Sequence, residues 1–142
     1  MERVIVGVDG SEGARAALRW AAEEARCWSV PLVAVWAWEF TPLIVATDVP
    51  TELHELSERV ATRLREVLVA ELGEDAADRV EPLVVEDTPA RALLDVAGPR
   101  DLLVVGSRGL GGFKGLVLGS VSQQVVHHAP CPVVVVHPPR PA

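Results

Sequence analysis

Apolar residues along this chain fall into two alternating patterns. Five short runs, at residues 4–8, 32–37, 80–85, 102–105 and Val133–Val136, are rich in β-branched residues and largely apolar on both parities. A strand with one wet face alternates, whereas a strand covered on both faces does not, so these runs predict a parallel sheet sandwiched between helices. Between the runs, apolar residues recur at intervals of three and four. Ala14, Ala17, Leu18, Ala21, Ala22 and Ala25 form one such stripe, and Leu53, Leu56, Val60, Leu64, Val67 and Leu68 form another. Start signals agree: Ser11 can cap the first helix, and Pro89 after Thr88 suits the first position of the third. Residues 118–128 predict a fourth helix, stopped by Pro130 and Pro132. Strand and helix alternate throughout, which predicts an α/β fold: a five-stranded, doubly wound parallel sheet with helices on both faces, Rossmann-like. Right-handed crossovers leave only a few strand orders open.

The 142 residues suit one domain, 1–142, and an apolar fraction of 49% is enough to build its core. A formal charge of −7 repels phosphate backbones and anionic lipid, so nucleic-acid and membrane-surface partners are not expected. Small anions remain open, because backbone amides in a pocket bind them whatever the global charge. Cys27 and Cys131 form no CxxC pair, and no apolar stretch approaches the ~18 residues of a membrane span. With no signal-peptide pattern at the start, the expected location is the cytoplasm. Cys27 is expected to pack within its helix. The connection at 39–51 is unexpectedly apolar, and two readings stand: a surface loop packed on its own domain, or a flap over a ligand or partner.

In an open parallel sheet, ligands bind where neighbouring connections diverge at the carboxyl ends of the strands. Two segments stand there, Gly7-Val8-Asp9-Gly10-Ser11 after the first strand and residues 106–122 after the fourth. The latter holds Gly106, Gly109, Gly111, Gly112, Gly115 and Gly119, then opens a helix carrying Ser120 and Ser122. Glycines let successive N–H groups point inward, and a helix amino end adds unpaired donors and partial positive charge. Together they make a polyphosphate site, the alternative being a plain connection ahead of a capped helix. The Walker pattern fails, since Phe113 precedes Lys114, and GxGxxG fails because Lys114 stands where the last glycine is required. Catalytic patterns are missing as well. Ser120 has no GxSxG elbow, His54 and Glu58 fall one residue short of HExxH, and adjacent His127 and His128 diverge by about 100° on a helix. No turnover enzyme is expected.

The spacing Gly106-x2-Gly109-x9-Gly119-Ser120 does match a nucleotide-binding pattern. With Ile5-Val6-Gly7-Val8-Asp9 at the start and Pro130-Cys131-Pro132 before the closing valines, the chain resembles the ATP-binding type of universal stress protein. The resemblance implies the 3-2-1-4-5 strand order of the adenine nucleotide alpha hydrolase-like fold. It implies that Val105, Gly106, Gly109, Gly119, Ser120, Val121 and Ser122 lie on the ribose-phosphate side, bordered by Arg108. Gly7, Val8 and Asp9 would line the adenosine half, and Ala37 would meet the adenine edge, with Trp36 or Trp38 as the alternatives one residue away. Asp9 has a second reading, as a cap of the first helix. ATP is the implied ligand, with Mg²⁺ expected to balance its charge in so acidic a chain. A homodimer through Val133–Val136 and a downstream protein partner are implied, with nucleotide ordering the 106–119 and 39–51 segments. A slow ATP hydrolase, or a protein that phosphorylates itself at Ser120 or Ser122, is the alternative.

Overall fold

Each apolar run becomes a strand in a computed structural model, which describes residues 1–39, 49–108 and 118–139. The strands are β1 (Val4–Gly7), β2 (Leu32–Trp38), β3 (Val80–Glu86), β4 (Leu102–Gly106) and β5 (Val133–Val136). The helices are α1 (Glu12–Trp28), α2 (Val49–Leu72), α3 (Glu74–Asp78), α4 (Pro89–Val96) and α5 (Ser120–His128). All strands are parallel, in the order β3-β2-β1-β4-β5, with Val4 beside Leu32 on one side and Leu102 on the other.

Two elements differ from the sequence expectation. The second helix runs to Leu72, where Gly73 at φ +85° breaks it, and the short α3 follows. The last helix starts at Ser120 and not at Leu118, because Gly119 takes an extended conformation as its N-cap residue.

Alternate strand residues feed two cores. On one face Val4, Val6, Ala34 and Val104 pack with Ala17, Leu18 and Ala21 of α1 and Leu64, Val67 and Leu68 of α2. On the other face Ile5, Val33, Val35, Leu103 and Val105 pack with Ala92 and Leu93 of α4 and Val125 of α5. The apolar-on-both-parities pattern is thus the imprint of two separate burials, at about 1.5–3 kcal/mol per buried Val or Leu side chain.

At the amino end of the sheet, Asp101 is buried and receives a two-pronged bond from Arg3, Nη2 to Oδ2 at 2.7 Å and Nε to Oδ1 at 3.2 Å. Gly98 N also donates to Oδ2 at 2.8 Å, and Arg3 Nη2 donates to Val96 O at 3.1 Å. This polar clamp ties the chain start to the α4–β4 connection, far along the sequence.

Cys27 corrects the expectation made for it: it lies exposed on α1. Cys131 is half-buried against the second core, and burial pushes its thiol pKa up, so it stays a neutral packing group. Among the described residues, no helix is long and apolar enough to cross a membrane.

Candidate functional site

Strand β1 feeds α1 on one face of the sheet, and its neighbour β4 feeds α5 on the other. Their connections therefore part company and leave a crevice above the strand ends.

On the β1 side the turn is organised by Asp9. Its Oδ1 accepts from Ser11 N at 3.0 Å and from Ser11 Oγ at 2.5 Å. Ser11 Oγ in turn accepts from Ala14 N at 3.2 Å, making Ser11 the N-cap of α1. Of the two readings of Asp9, direct capping is therefore taken by Ser11, and Asp9 orients the capping hydroxyl. An ionised carboxylate has two acceptor oxygens, so this leaves Oδ2 for another donor. Arg15 holds the same turn from outside, Nε donating to Gly10 O at 3.3 Å and Nη1 to Glu71 Oε1 at 3.1 Å. Burial pushes the Glu71 carboxyl upward, but hydrogen bonds from Arg19 and Arg15 outweigh it and hold the group below its ordinary range.

Two glycines bring α1 and β4 into backbone contact. A Cβ on Gly106 would lie 2.8 Å from the Gly13 carbonyl, and one on Gly13 would lie 2.7 Å from Arg108 O. Gly106 is thus demanded by helix packing as well as by any ligand. Gly13 escaped the sequence reading, because nothing local distinguishes it from a weak helix residue.

On the β4 side, Ser107 is a hub. Its carbonyl accepts from Gly119 N at 2.6 Å and from Ser122 Oγ at 3.0 Å, and its N–H donates to Val136 O at 2.9 Å. These bonds join the two described ends of the glycine segment. They also correct one expectation: the Ser122 hydroxyl, buried, donates within the protein to Ser107 O and Gly119 O and is not offered to a ligand. Ser120 is exposed at the first position of α5, and among the described residues no side chain caps that helix. Its first N–H groups have no partner within the helix itself, and Gly119 to Ser122 line the crevice.

The crevice is a cavity of about 410 Å³, within the ordinary range for small-molecule sites. Gly7, Val8, Asp9, Ala37, Val105, Gly106, Arg108, Gly119, Ser120, Val121 and Ser122 all line it. Gly109 lies outside the described residues, as do Lys114 and most of the 39–51 segment. The lining also includes Ser11, Ala14, Val35, Trp36, Pro89 and Leu93, none of them assigned to it from sequence except Trp36 as a one-residue alternative. Pro89 and Leu93 were within reach of the strand-end rule, since α4 also starts above the carboxyl ends. Leu93 comes close because Gly7 has no side chain: its Cδ1 lies 3.0 Å from where a Cβ would stand.

A family model described as the universal stress protein family matches residues 1–137. A universal stress protein of Mycolicibacterium smegmatis is 34% identical over 142 residues, covering 94% of this chain and 47% of its own. The chain thus spans about half the length of that relative. A Thermus aquaticus universal stress protein, encoded in a QAH/OAS sulfhydrylase 3′ region, is 35% identical over 135 residues, covering 94% of this chain and 96% of its own. Among solved structures, a universal stress protein in complex with cAMP superposes with a TM-score of 0.67 at 28% identity, covering 97% and 98% of the two chains.

Proposed function

The chain belongs to the universal stress protein family, and we propose that it is an ATP-binding member, a cytoplasmic regulator in the stress response that responds to nucleotide without turning it over. The observation that carries this reading is the amino end of α5, uncapped among the described residues, which opens onto the same cavity as Asp9 and Gly106. Uncapped helix amides suit phosphate, and a spare carboxylate oxygen suits a ribose hydroxyl or an exocyclic amine. The relative solved with cAMP supports an adenine nucleotide as the ligand class.

These residues fit the triphosphate better than they fit a metal of their own. Among the described residues, no three His, Cys, Asp or Glu side chains stand together as a metal cage. Mg²⁺ would accordingly be held by the phosphates and water, its usual arrangement with nucleotides. If a phosphoryl group were transferred to the protein, the acceptor would be Ser120, because the Ser122 hydroxyl is buried and engaged.

Titration calorimetry with ATP and Mg²⁺ tests the binding, and a wild-type protein that binds no adenine nucleotide overturns it. Asp9→Asn is the sharper variant than Asp9→Ala. It keeps an oxygen for Ser11 while turning the second acceptor into a donor, so stability should hold. ATP affinity should fall roughly ten- to a hundredfold, the worth of one charge-assisted bond. Asp9→Ala should lose the same affinity and also about 1 kcal/mol of stability, through a weakened helix cap. Labelled ATP separates the rival activity: steady phosphate release, or label on Ser120, would make the protein an enzyme.

The proposed homodimer uses the outer edge of β5, which among the described residues pairs with β4 alone. All four of its valines are half-buried, an apolar edge suited to a second copy. Analytical ultracentrifugation should give twice the chain mass at micromolar concentration, and a monomer there overturns the dimer.

A further inference from the structure

We infer that Arg15, anchored on Glu71, is a positioning residue for nucleotide: it locks the peptide group to which Asp9 is bonded and so aims the second carboxylate oxygen of Asp9 into the cleft. This rests on the nucleotide-binding reading and adds to it two residues, neither of which lines the cavity. The bond from Arg15 Nε ends on the carbonyl of Gly10 at 3.3 Å. The N–H of that same peptide group is Ser11 N, which donates to Asp9 Oδ1 at 3.0 Å. A peptide group is planar and stiff, so fixing its oxygen fixes the direction of its N–H. Arg15 and Asp9 thus grip opposite edges of one plate.

That plate needs holding. Gly10 has φ +80°, and the backbone of a glycine turns more freely than that of any other residue. Upstream, Val8 N donates to Val35 O at 2.8 Å and ties the chain to β2; downstream, Ser11 caps α1. The Gly10–Ser11 peptide lies between these fixed points and carries the donor that orients Asp9. An arginine tethered at one end would swing on its long side chain. Arg15 is tethered at both, because its Nη1 donates to Glu71 Oε1 at 3.1 Å. Glu71 is pinned in turn, since Arg19, one helical turn along α1, donates to its other oxygen. Only 14% of the Glu71 side chain is exposed, so water competes little for these bonds. A continuous line of contacts therefore runs from α2 through Arg15 to the turn that carries Asp9.

Titration calorimetry with ATP tests the inference as a double-mutant cycle. Arg15→Ala should lose roughly three- to tenfold in affinity, the worth of an ordinary hydrogen bond, since this one is long. Glu71→Gln should lose about two- to threefold, because the weaker anchor lets Arg15 swing. In an Asp9→Asn background neither change should cost anything further, as both act through Asp9. Arg15→Lys should not restore affinity, for it keeps the charge but lacks the fork that reaches both partners. Without nucleotide, hydrogen exchange of the Ser11 amide should quicken in Arg15→Ala by roughly three- to tenfold as well. Should the alanine variant fail to fold, Arg15→Lys and Glu71→Gln give the same two readouts. Wild-type affinity in all three variants, losses that add to that of Asp9→Asn, rescue by lysine, or an unchanged Ser11 amide would each overturn the role of Arg15. A wild-type protein that binds no ATP would instead overturn nucleotide binding itself, and the Ser11 exchange would still report whether Arg15 holds the turn.

Discussion

Alanine at position 106 should lower stability by about 2–3 kcal/mol, the upper part of the range for an overpacked core, and weaken ATP binding in the same protein. The added Cβ would sit 2.8 Å from both C and O of Gly13 and 3.1 Å from Ala14 N. Ordinary contact begins near 3.5 Å, so α1 must withdraw by about 0.7 Å. The obstacle is a peptide group in a helix, and it cannot rotate aside as a side chain would. Withdrawal moves the turn in which Ser11 caps α1 and Asp9 orients Ser11. Affinity should therefore drop by roughly tenfold or more, the worth of one displaced charge-assisted bond. For 142 residues, the melting temperature should fall by about 6–10 °C. Calorimetric unfolding and titration of one sample read both effects. A variant as stable as wild type would mean that α1 and β4 do not touch as closely as described.

Asp101→Ala should cost about 2–3 kcal/mol, because it leaves Gly98 N–H and the Arg3 guanidinium without their acceptor in a largely buried place. The value sits below that for a fully buried pair, since Arg3 is 36% exposed and can turn to water. The pH dependence follows from the Asp101 carboxyl. The hydrogen bond from Arg3 lowers its folded-state pKa, against the opposing effect of burial and with help from Gly98 N–H. A depressed carboxyl pKa gives stability that is present above the unfolded value, about 3.9, and lost as pH falls through the folded one. Denaturant midpoints of wild type and Asp101→Asn should therefore differ at pH 7 and converge as pH drops below about 4. A gap unchanged down to pH 2 would show that the carboxylate's charge is not what Asp101 contributes.

Strands and helices were legible because their signals are local. The runs of β1, β2 and β4, apolar on both parities, are covered on both faces, whereas the run of β3 carries Glu81 and leaves it exposed at the sheet edge; Ser11 announced its helix by residue type alone. The 3-2-1-4-5 order came from the family resemblance, and the pairing of β1 with β4 agrees with it. The region of the cleft was legible too, since the strand-end rule needs only the order of elements.

What each cleft residue does was decided elsewhere. Ser120 and Ser122 read alike in the sequence, yet one is exposed at the mouth and the other donates to Ser107 O inside. Gly13 looks like a flaw in α1 until Gly106, 93 positions later, is seen against it. Leu93 and Trp36 carry ordinary core signatures and become cleft walls only where Gly7 and Gly10 give them room. Periodicity reports which face of its own element a residue occupies. How closely two elements approach is set by the long-range packing of the sheet, and that distance assigns each hydroxyl and ring its role.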